Sequence, residues 1–207
     1  MDLMNDPGIK IQGTKEVNML AQLQAIDERS PQYATVTDFC EIFTEEMHSL
    51  YLLSFLLTAD QDKAEQCFIG GLGECVEGIG AFMEWSRLWA RRAIIKQAML
   101  MVRPSPSDTD HWSPIHAKAA AAALPNGLFG GILSLSAFER FVFVMSILEG
   151  MADRDCQSLL SCSQRDIVIA RELALRFLVT SDRGGDHLQE ALQAWRTFLS
   201  SPKPLER

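Results

Sequence analysis

Residues 135–178 read LSAFERFVFVMSILEGMADRDCQSLLSCSQRDIVIARELALRFL, and their pattern decides the fold of this part of the chain. Ser136, followed three residues later by Glu139, is a capping box, which marks a helix N-terminus. Gly150 is a typical C-terminal stop. Between them, apolar residues at helical spacing predict one buried face: Phe138, Phe141, Val142, Met145 and Leu148.

A short helix and a longer one are predicted in the rest of this stretch. Residues 153–160 favour the short helix, and the tight segment 161–163 follows it. Ser163 and Asp166 form a second capping box, which opens a helix that extends to about Leu178. A helix, a short helix, a three-residue turn and a further helix are the layout of a helix-turn-helix unit.

Apolar residues also recur at helical spacing over residues 37–103, a stretch that contains no proline. Two helices are predicted to meet at Thr58–Ala59–Asp60, where Asp60 is a suitable N-cap. A third helix begins near Phe82. Between the second and third helices lies a glycine cluster that includes Ile69–Gly73. Because glycine inside a helix costs roughly 1 kcal/mol relative to alanine, a broken or looser helix is expected there.

The other segments are less regular. Residues 1–36 are predicted to form a loose N-terminal arm with a short amphipathic stretch over 17–26. Residues 104–134 contain four prolines and a glycine-rich end, which predict a linker. Residues 181–207 predict a C-terminal amphipathic helix and tail, with one apolar side formed by Leu188, Leu192, Trp195 and Leu199.

The predicted fold class is therefore all-α. It consists of two small helical modules, residues 37–103 and 135–180, which are joined by the linker and followed by the C-terminal helix. The sequence alone does not determine how the two modules are arranged relative to each other.

The composition of the chain argues against a disordered, membrane-spanning or secreted protein. The chain has 207 residues, a net charge of −8 and 47% hydrophobic residues, enough to form a sizeable core. Its longest apolar run, over residues 50–57, is far shorter than the roughly 20 residues that cross a bilayer. No secretory leader opens the chain. A soluble cytoplasmic protein without membrane contact is therefore expected.

The sequence offers no support for enzymatic, metal or cofactor chemistry. Its five cysteines never occur as C-x-x-C, and its four histidines are dispersed. Cys156 and Cys162 are expected to be small buried residues rather than redox sensors. No Ser/His/Asp or Cys/His arrangement is apparent, so no catalytic residue, metal ligand or cofactor is predicted.

The helix-turn-helix stretch resembles the C-terminal DNA-binding region of extracytoplasmic-function (ECF) sigma factors of bacterial RNA polymerase. The shared landmarks need no gap: Leu135–Ser136, Glu139–Arg140, Leu148–Glu149–Gly150, Leu159–Leu160 and Ser163. Upstream, LYLLSFLLTADQDKAEQCF (50–68) resembles the family's polymerase-binding helix pair. FMEWSRLWARRAII (82–95) resembles its promoter-melting and −10-reading helix, with Trp85, Ala90 and Arg91 at matching positions.

The resemblance, which covers about residues 38–103 and 135–178, implies a non-enzymatic protein that binds RNA polymerase core and promoter DNA to direct transcription initiation. It also suggests an anti-sigma or other regulatory protein as a further partner. The implied polymerase-binding residues are Leu52, Leu53, Leu56, Asp60 and Glu65. Because the three leucines occupy positions that are often polar in the family, two interpretations stay open: a thicker core, or an apolar surface for a different partner helix.

The third helix supplies the first group of implied DNA contacts: Arg87, Arg91, Arg92 and Lys96. Residues 82–103 carry a net charge of +4 within an acidic protein, which suits phosphate binding. The alternative is a solvated helix face that pairs in part with the acidic arm. Trp85 and Trp89 are expected to lie in the core rather than to stack on bases.

The second group lies in the helix predicted from Ser163: Gln164, Arg165 and Arg171. Gln164 and Arg165 lie at the N-terminus, where helix-turn-helix proteins contact base edges. However, residues 135–178 hold five arginines against six acidic residues, a net charge of −1, so promoter binding by this segment is expected to be weak. The alternative function is a sigma-derived protein-interaction module that has lost promoter recognition.

Overall fold

Helix formation dominates wherever the chain is described. A computed structural model describes residues 33–78, 81–109 and 128–181, together with Gln193 and Thr197. Its regular elements there are helical and include no β-strand, which confirms the all-α class. No described helix has the length and apolar composition that a membrane crossing requires.

The helices fall into two groups along the sequence. The first group is α1 (Val36–Glu45), α2 (Met47–Thr58), α3 (Gln61–Glu77) and α4 (Ser86–Val102), with a 3₁₀ turn at Met83–Trp85 just before α4 and another at Pro106–Thr109 after it. The second group is α5 (Leu128–Leu133), α6 (Ala137–Phe143) with its π-helical continuation Val144–Leu148, α7 (Asp153–Leu160) and α8 (Gln164–Ser181).

The predicted helix starts are confirmed by their hydrogen bonds. The Asp60 carboxylate accepts from the backbone N–H three residues later, at 2.9 Å, and so caps α3. Ser136 and Glu139 form the capping box of α6. Ser163 and Asp166 form the equivalent box before α8, with N–H to side-chain oxygen distances of 2.9 and 3.2 Å.

The end of the helix that begins with α6 also lies where the sequence predicts it. The π-helical turn closes with the Glu149 N–H donating to the Val144 carbonyl at 2.9 Å. Gly150 then adopts a φ of +64°, a left-handed conformation that favours glycine. Helix α7 and the short turn before α8 follow, so the predicted helix-turn-helix element order is present.

The expectation of a broken helix at Ile69–Gly73 is wrong, because α3 runs through this segment without interruption. Gly71 serves helix packing instead. A Cβ at Gly71 would lie 2.6 Å from the Ile94 Cδ1 atom of α4, whereas a Cβ at Gly73 would meet nothing within 4 Å. The close approach of α3 to α4 therefore offsets the helix propensity lost at Gly71.

These two glycines provide a matched pair of substitutions. We expect Gly71→Leu to lower the free energy of unfolding by about 1–3 kcal/mol, because the larger side chain overpacks against Ile94. Gly73→Ala is expected to raise it by about 0.5–1 kcal/mol, since alanine favours the helix and enters open space. Urea denaturation measures both; equal effects at the two positions would contradict the close α3–α4 packing.

The two predicted modules share one hydrophobic cluster. Its fully buried side chains come from both groups of helices: Leu50, Leu53, Ile94, Phe138, Phe141 and Ile167. Helix α2 lies at the centre, where it packs against α3 and α4 of its own group and against α6 of the other. The described residues of both groups belong to one compact unit that begins at Ala34. The modules are thus packed together, while their boundaries stay a prediction.

Within the predicted linker, residues 128–133 form α5, which packs on α8. Ile132 is buried, and a Cβ at Gly131 would lie 2.7 Å from the Leu178 Cδ2 atom. The amphipathic stretch predicted over 17–26 and the remainder of the linker, 110–127, lie outside the described residues. So does the predicted C-terminal helix, apart from Gln193 and Thr197, which are helical and exposed.

Candidate nucleic-acid interface

Helix α4 carries the first group of predicted DNA contacts, and each of these cations pairs with a carboxylate. The ion pairs are Arg87 with Glu45 and Glu46, Arg91 with Glu46 and Glu149, Arg92 with Asp155, and Lys96 with Glu74. These carboxylates belong to helices and their junctions. The positive charge of α4 is therefore locally compensated. Residues 1–32 of the predicted acidic arm lie outside the described residues, so the alternative of pairing with the arm stays a prediction.

Three of these cations form solvent-exposed pairs. The side chains of Arg87, Arg92 and Lys96 are each about half exposed. The Arg92 Nη2 to Asp155 Oδ2 distance is 3.2 Å, and the Lys96 Nζ to Glu74 Oε1 distance is 2.6 Å. Pairs exposed in this way typically contribute about 0–1 kcal/mol. Among their partners, Glu45 and Asp155 are also about half exposed, whereas Glu46 and Glu74 are only 21% exposed.

Arg91 is held in a different way. Its side chain is only 14% exposed and that of Glu149 only 5%. The two groups form a bidentate pair: Arg91 Nε donates to Glu149 Oε2 at 2.5 Å, and Nη2 donates to Oε1 at 2.7 Å. Burial lowers the pKa of Arg91, but the hydrogen bonds and charge of Glu149 outweigh it and raise the pKa above its usual value. Arg91 thus joins α4 to the end of the α6 segment.

The prediction that Trp85 and Trp89 lie in the core is wrong, because their exposed fractions are 57% and 42%. The residues that helix α4 buries are instead Ser86, Ala90, Ala93, Ile94, Ile95 and Ala98. The exposed positions 89, 92 and 96 are three and four residues apart and therefore share one side of the helix, and the exposed Trp85 immediately precedes α4. We call Trp85, Trp89, Arg92 and Lys96 the aromatic–basic stripe.

Helix α8 carries the second group of predicted DNA contacts, of which two are exposed and the third packs against neighbouring helices. Gln164 and Arg165 are exposed at its N-terminus, and Arg165 forms no ion pair with the part of the chain that the structure describes. Arg171 instead turns towards α6 and α7: its Nη2 pairs with Asp153, and its Nε donates to Ser146 Oγ at 3.1 Å. Arg171 therefore stabilises the helix-turn-helix unit from within.

The outer surface of α8 mixes apolar side chains with polar and charged ones. Its exposed large hydrophobic side chains are Val168, Ile169, Leu173 and Val179. Glu172 and Arg176 lie beside them and pair with each other one turn apart. This helix thus offers few unpaired charges beyond its first turn.

The implied polymerase-binding residues divide between core and surface. Leu53 and Leu56 are fully buried, and Leu52 is half-buried against the same cluster. The thicker-core interpretation is therefore confirmed for Leu53 and Leu56, because α2 is enclosed by α3, α4 and α6. Asp60 and Glu65 are exposed, although the Asp60 carboxylate already caps α3.

The cysteines are mostly buried thiols. Cys156 is fully buried, and burial raises its pKa to about 11, which confirms its interpretation as a small core residue. Cys162 is half-buried, and burial raises its pKa as well. Over residues 33–78, 81–109 and 128–181, no three His, Cys, Asp or Glu side chains lie close enough together to hold a metal ion.

Sequence reasoning missed the long-range partners that join the two groups of helices. Glu149 lies 58 residues from Arg91, and Asp155 lies 63 residues from Arg92. Arg140 is also buried; it donates from Nε to the Leu57 carbonyl at 3.3 Å and from Nη1 to the Leu135 carbonyl at 3.0 Å. Burial lowers its pKa to about 10. No local spacing signals these contacts. Comparisons with protein-family models, curated proteins and solved structures give no match for this chain.

Proposed function

We propose that this chain is a transcription protein similar to ECF sigma factors, which binds RNA polymerase core and contacts single-stranded promoter DNA through α4. The observation that carries the proposal is the exposed aromatic–basic stripe. As a partner of polymerase core, the protein would act in the cytoplasm and would not be an enzyme.

The chemistry of the stripe suits an unpaired nucleic-acid strand. Trp85 and Trp89 are both exposed, and exposed aromatic rings can stack on bases. Trp85 also contacts Phe82 edge-to-face, with the ring centroids 5.5 Å apart. Arg92 and Lys96 continue the same side of the helix and supply charge for phosphates. The exposed carboxylates Asp155, which pairs with Arg92, and Glu45, which pairs with Arg87, can be displaced by phosphates.

The helix-turn-helix unit adds a second, smaller contact to the proposal. Gln164 and Arg165 lie at the N-terminus of α8, where helix-turn-helix proteins approach base edges in the major groove. Glutamine can pair with adenine and arginine with guanine. Because Arg171 is engaged by Asp153, the proposed duplex contact is limited to the first turn of α8.

A substitution at both tryptophans tests the nucleic-acid part of the proposal. We expect Trp85→Ala with Trp89→Ala to weaken binding of a labelled single-stranded oligonucleotide at least about tenfold, because each stacked base contributes about 1–3 kcal/mol. Fluorescence anisotropy at low salt measures the affinity. Leu100→Ala is the matched control, since Leu100 is exposed near the other end of the same helix. Equal affinity in the double variant and the control would contradict a stacking role.

A second candidate, a sigma-like protein-interaction module without promoter recognition, is favoured by the exposed Val168, Ile169 and Leu173 on α8. The same titration separates the candidates, because true phosphate contacts weaken steeply with salt. Absence of binding by the wild-type chain at low salt, combined with co-purification with polymerase core, would favour the second candidate. Binding to the oligonucleotide and to core together would support the first.

A further inference from the structure

Two carboxylates of the helix-turn-helix segment reach α4 at adjacent residues. Glu149, between the α6 segment and α7, pairs with Arg91, and Asp155 of α7 pairs with Arg92. Arg91 and Arg92 are two of the cations that the resemblance assigns to DNA. Arg91 also lies 3.4 Å from Glu46 of its own group of helices, but its two shorter bonds and the single bond of Arg92 go to acidic residues of the other predicted module.

The Arg91–Glu149 geometry is that of a guanidinium holding an oxyanion. Two nitrogens of Arg91 each donate to a different oxygen of Glu149, at 2.5 and 2.7 Å. A phosphate is bound by arginine with the same two parallel hydrogen bonds. Asp155 accepts a single, more exposed bond from Arg92 at 3.2 Å. The two carboxylates therefore occupy the donors that a nucleic-acid backbone would use.

Further contacts hold these carboxylates against α4. The buried Arg140 of α6 donates to the Leu57 carbonyl of α2 at 3.3 Å, and the two groups of helices share one core. The Glu149 backbone is itself fixed by its hydrogen bond to the Val144 carbonyl. Glu149 and Asp155 are thus presented to α4 by the packed state of the chain.

We infer that Glu149 and Asp155 form an autoinhibitory contact, in which the helix-turn-helix segment competes with nucleic-acid phosphates for Arg91 and Arg92. This inference rests on the proposed function, because Arg92 belongs to the aromatic–basic stripe and Arg91 is its neighbour in α4. The contact also explains why residues 82–103, which carry a net charge of +4 in an acidic chain, do not leave Arg91 and Arg92 unpaired. A partner that draws the helix-turn-helix segment away from α4 would raise the affinity of α4 for nucleic acid.

Removal of the two carboxylate charges tests the inference. Glu149→Gln and Asp155→Asn keep the side-chain shapes, and the double variant is expected to bind a labelled single-stranded oligonucleotide about tenfold more tightly than the wild-type chain, because the binding-competent fraction rises. The slope of log affinity against log salt is expected to steepen by about 0.7 for each freed cation. Asp155→Asn alone tests the exposed pair without disturbing the buried one.

The control carries the same change in net charge at positions remote from Arg91 and Arg92. Glu172→Gln removes the charge that pairs with Arg176 within α8, and Asp62→Asn removes an exposed charge in the first turn of α3. Equal affinity and salt slope in the test and control double variants would overturn the inference while leaving the proposed function standing. Failure of all of the proteins to bind at low salt would overturn the proposed function and the inference together. Circular dichroism checks that each variant is folded. If Glu149→Gln is unfolded, the salt slope of Asp155→Asn alone tests the inference, and a slope equal to that of the wild-type chain would overturn it.

Discussion

Replacing Glu149 with alanine is expected to lower the free energy of unfolding by about 3 kcal/mol, because the substitution leaves the Arg91 guanidinium largely buried without its bidentate partner. Glu46 lies 3.4 Å from Arg91 and compensates only part of the lost charge. The loss therefore falls at the lower end of the range for breaking a buried pair, which reaches about 5 kcal/mol. Urea denaturation, followed by circular dichroism, measures the effect.

Glu172→Ala is the matched control for this result. Glu172 pairs with Arg176 on the exposed side of α8, so its removal is expected to change the free energy of unfolding by less than about 0.5 kcal/mol. Replacing both partners, with Arg91→Met and Glu149→Leu, is expected to recover most of the stability, because no unpaired charge is then buried. A loss at Glu149 no larger than that at Glu172 would show that the Arg91 pair is solvated and does not join the two groups of helices.

Truncation of Leu53 has the second large expected effect. Leu53→Ala is expected to lower the free energy of unfolding by about 2–5 kcal/mol, because a fully buried leucine leaves a cavity within the shared core. Leu52→Ala, one residue earlier and half-buried, is expected to cost about 1 kcal/mol or less. The same denaturation experiment measures both variants.

This pair of variants also bears on polymerase binding. If Leu53 formed a surface for a partner helix, its truncation would reduce co-purification with polymerase core and leave stability nearly unchanged. Equal, small stability losses at Leu52 and Leu53 would contradict the enclosed position of α2. Any direct contact with polymerase is then left to exposed residues such as Glu65.

Local features of the fold could be predicted from the sequence because each depends on residues within one helical turn. The caps at Asp60, Ser136 and Ser163 each depend on a partner three residues away. The left-handed Gly150 depends on its own backbone freedom. These signals are complete within one helical turn, so they predict where α3, α6 and α8 begin and where the α6 segment ends.

The candidate site was harder to predict from the sequence. Helix α4 carries apolar side chains on several sides, so its sequence did not reveal that Ala90 and Ile94 face the core while Trp85 and Trp89 face solvent. The same ambiguity affected α3, where the propensity of glycine argued against a helix that packing with Ile94 stabilises. In both cases the neighbouring helix decides the outcome.

Capping and periodicity over a few residues are enough to predict the all-α class, the starts of α3, α6 and α8 and the order of a helix-turn-helix unit. The enclosure of Leu53, the exposure of Trp85 and the pairing of Arg91 with Glu149 emerge only when the helices pack. These outcomes depend on which helix faces meet and on charges 58 or more residues apart in the chain. Burial and Coulomb attraction act through space, and the fold alone sets those distances.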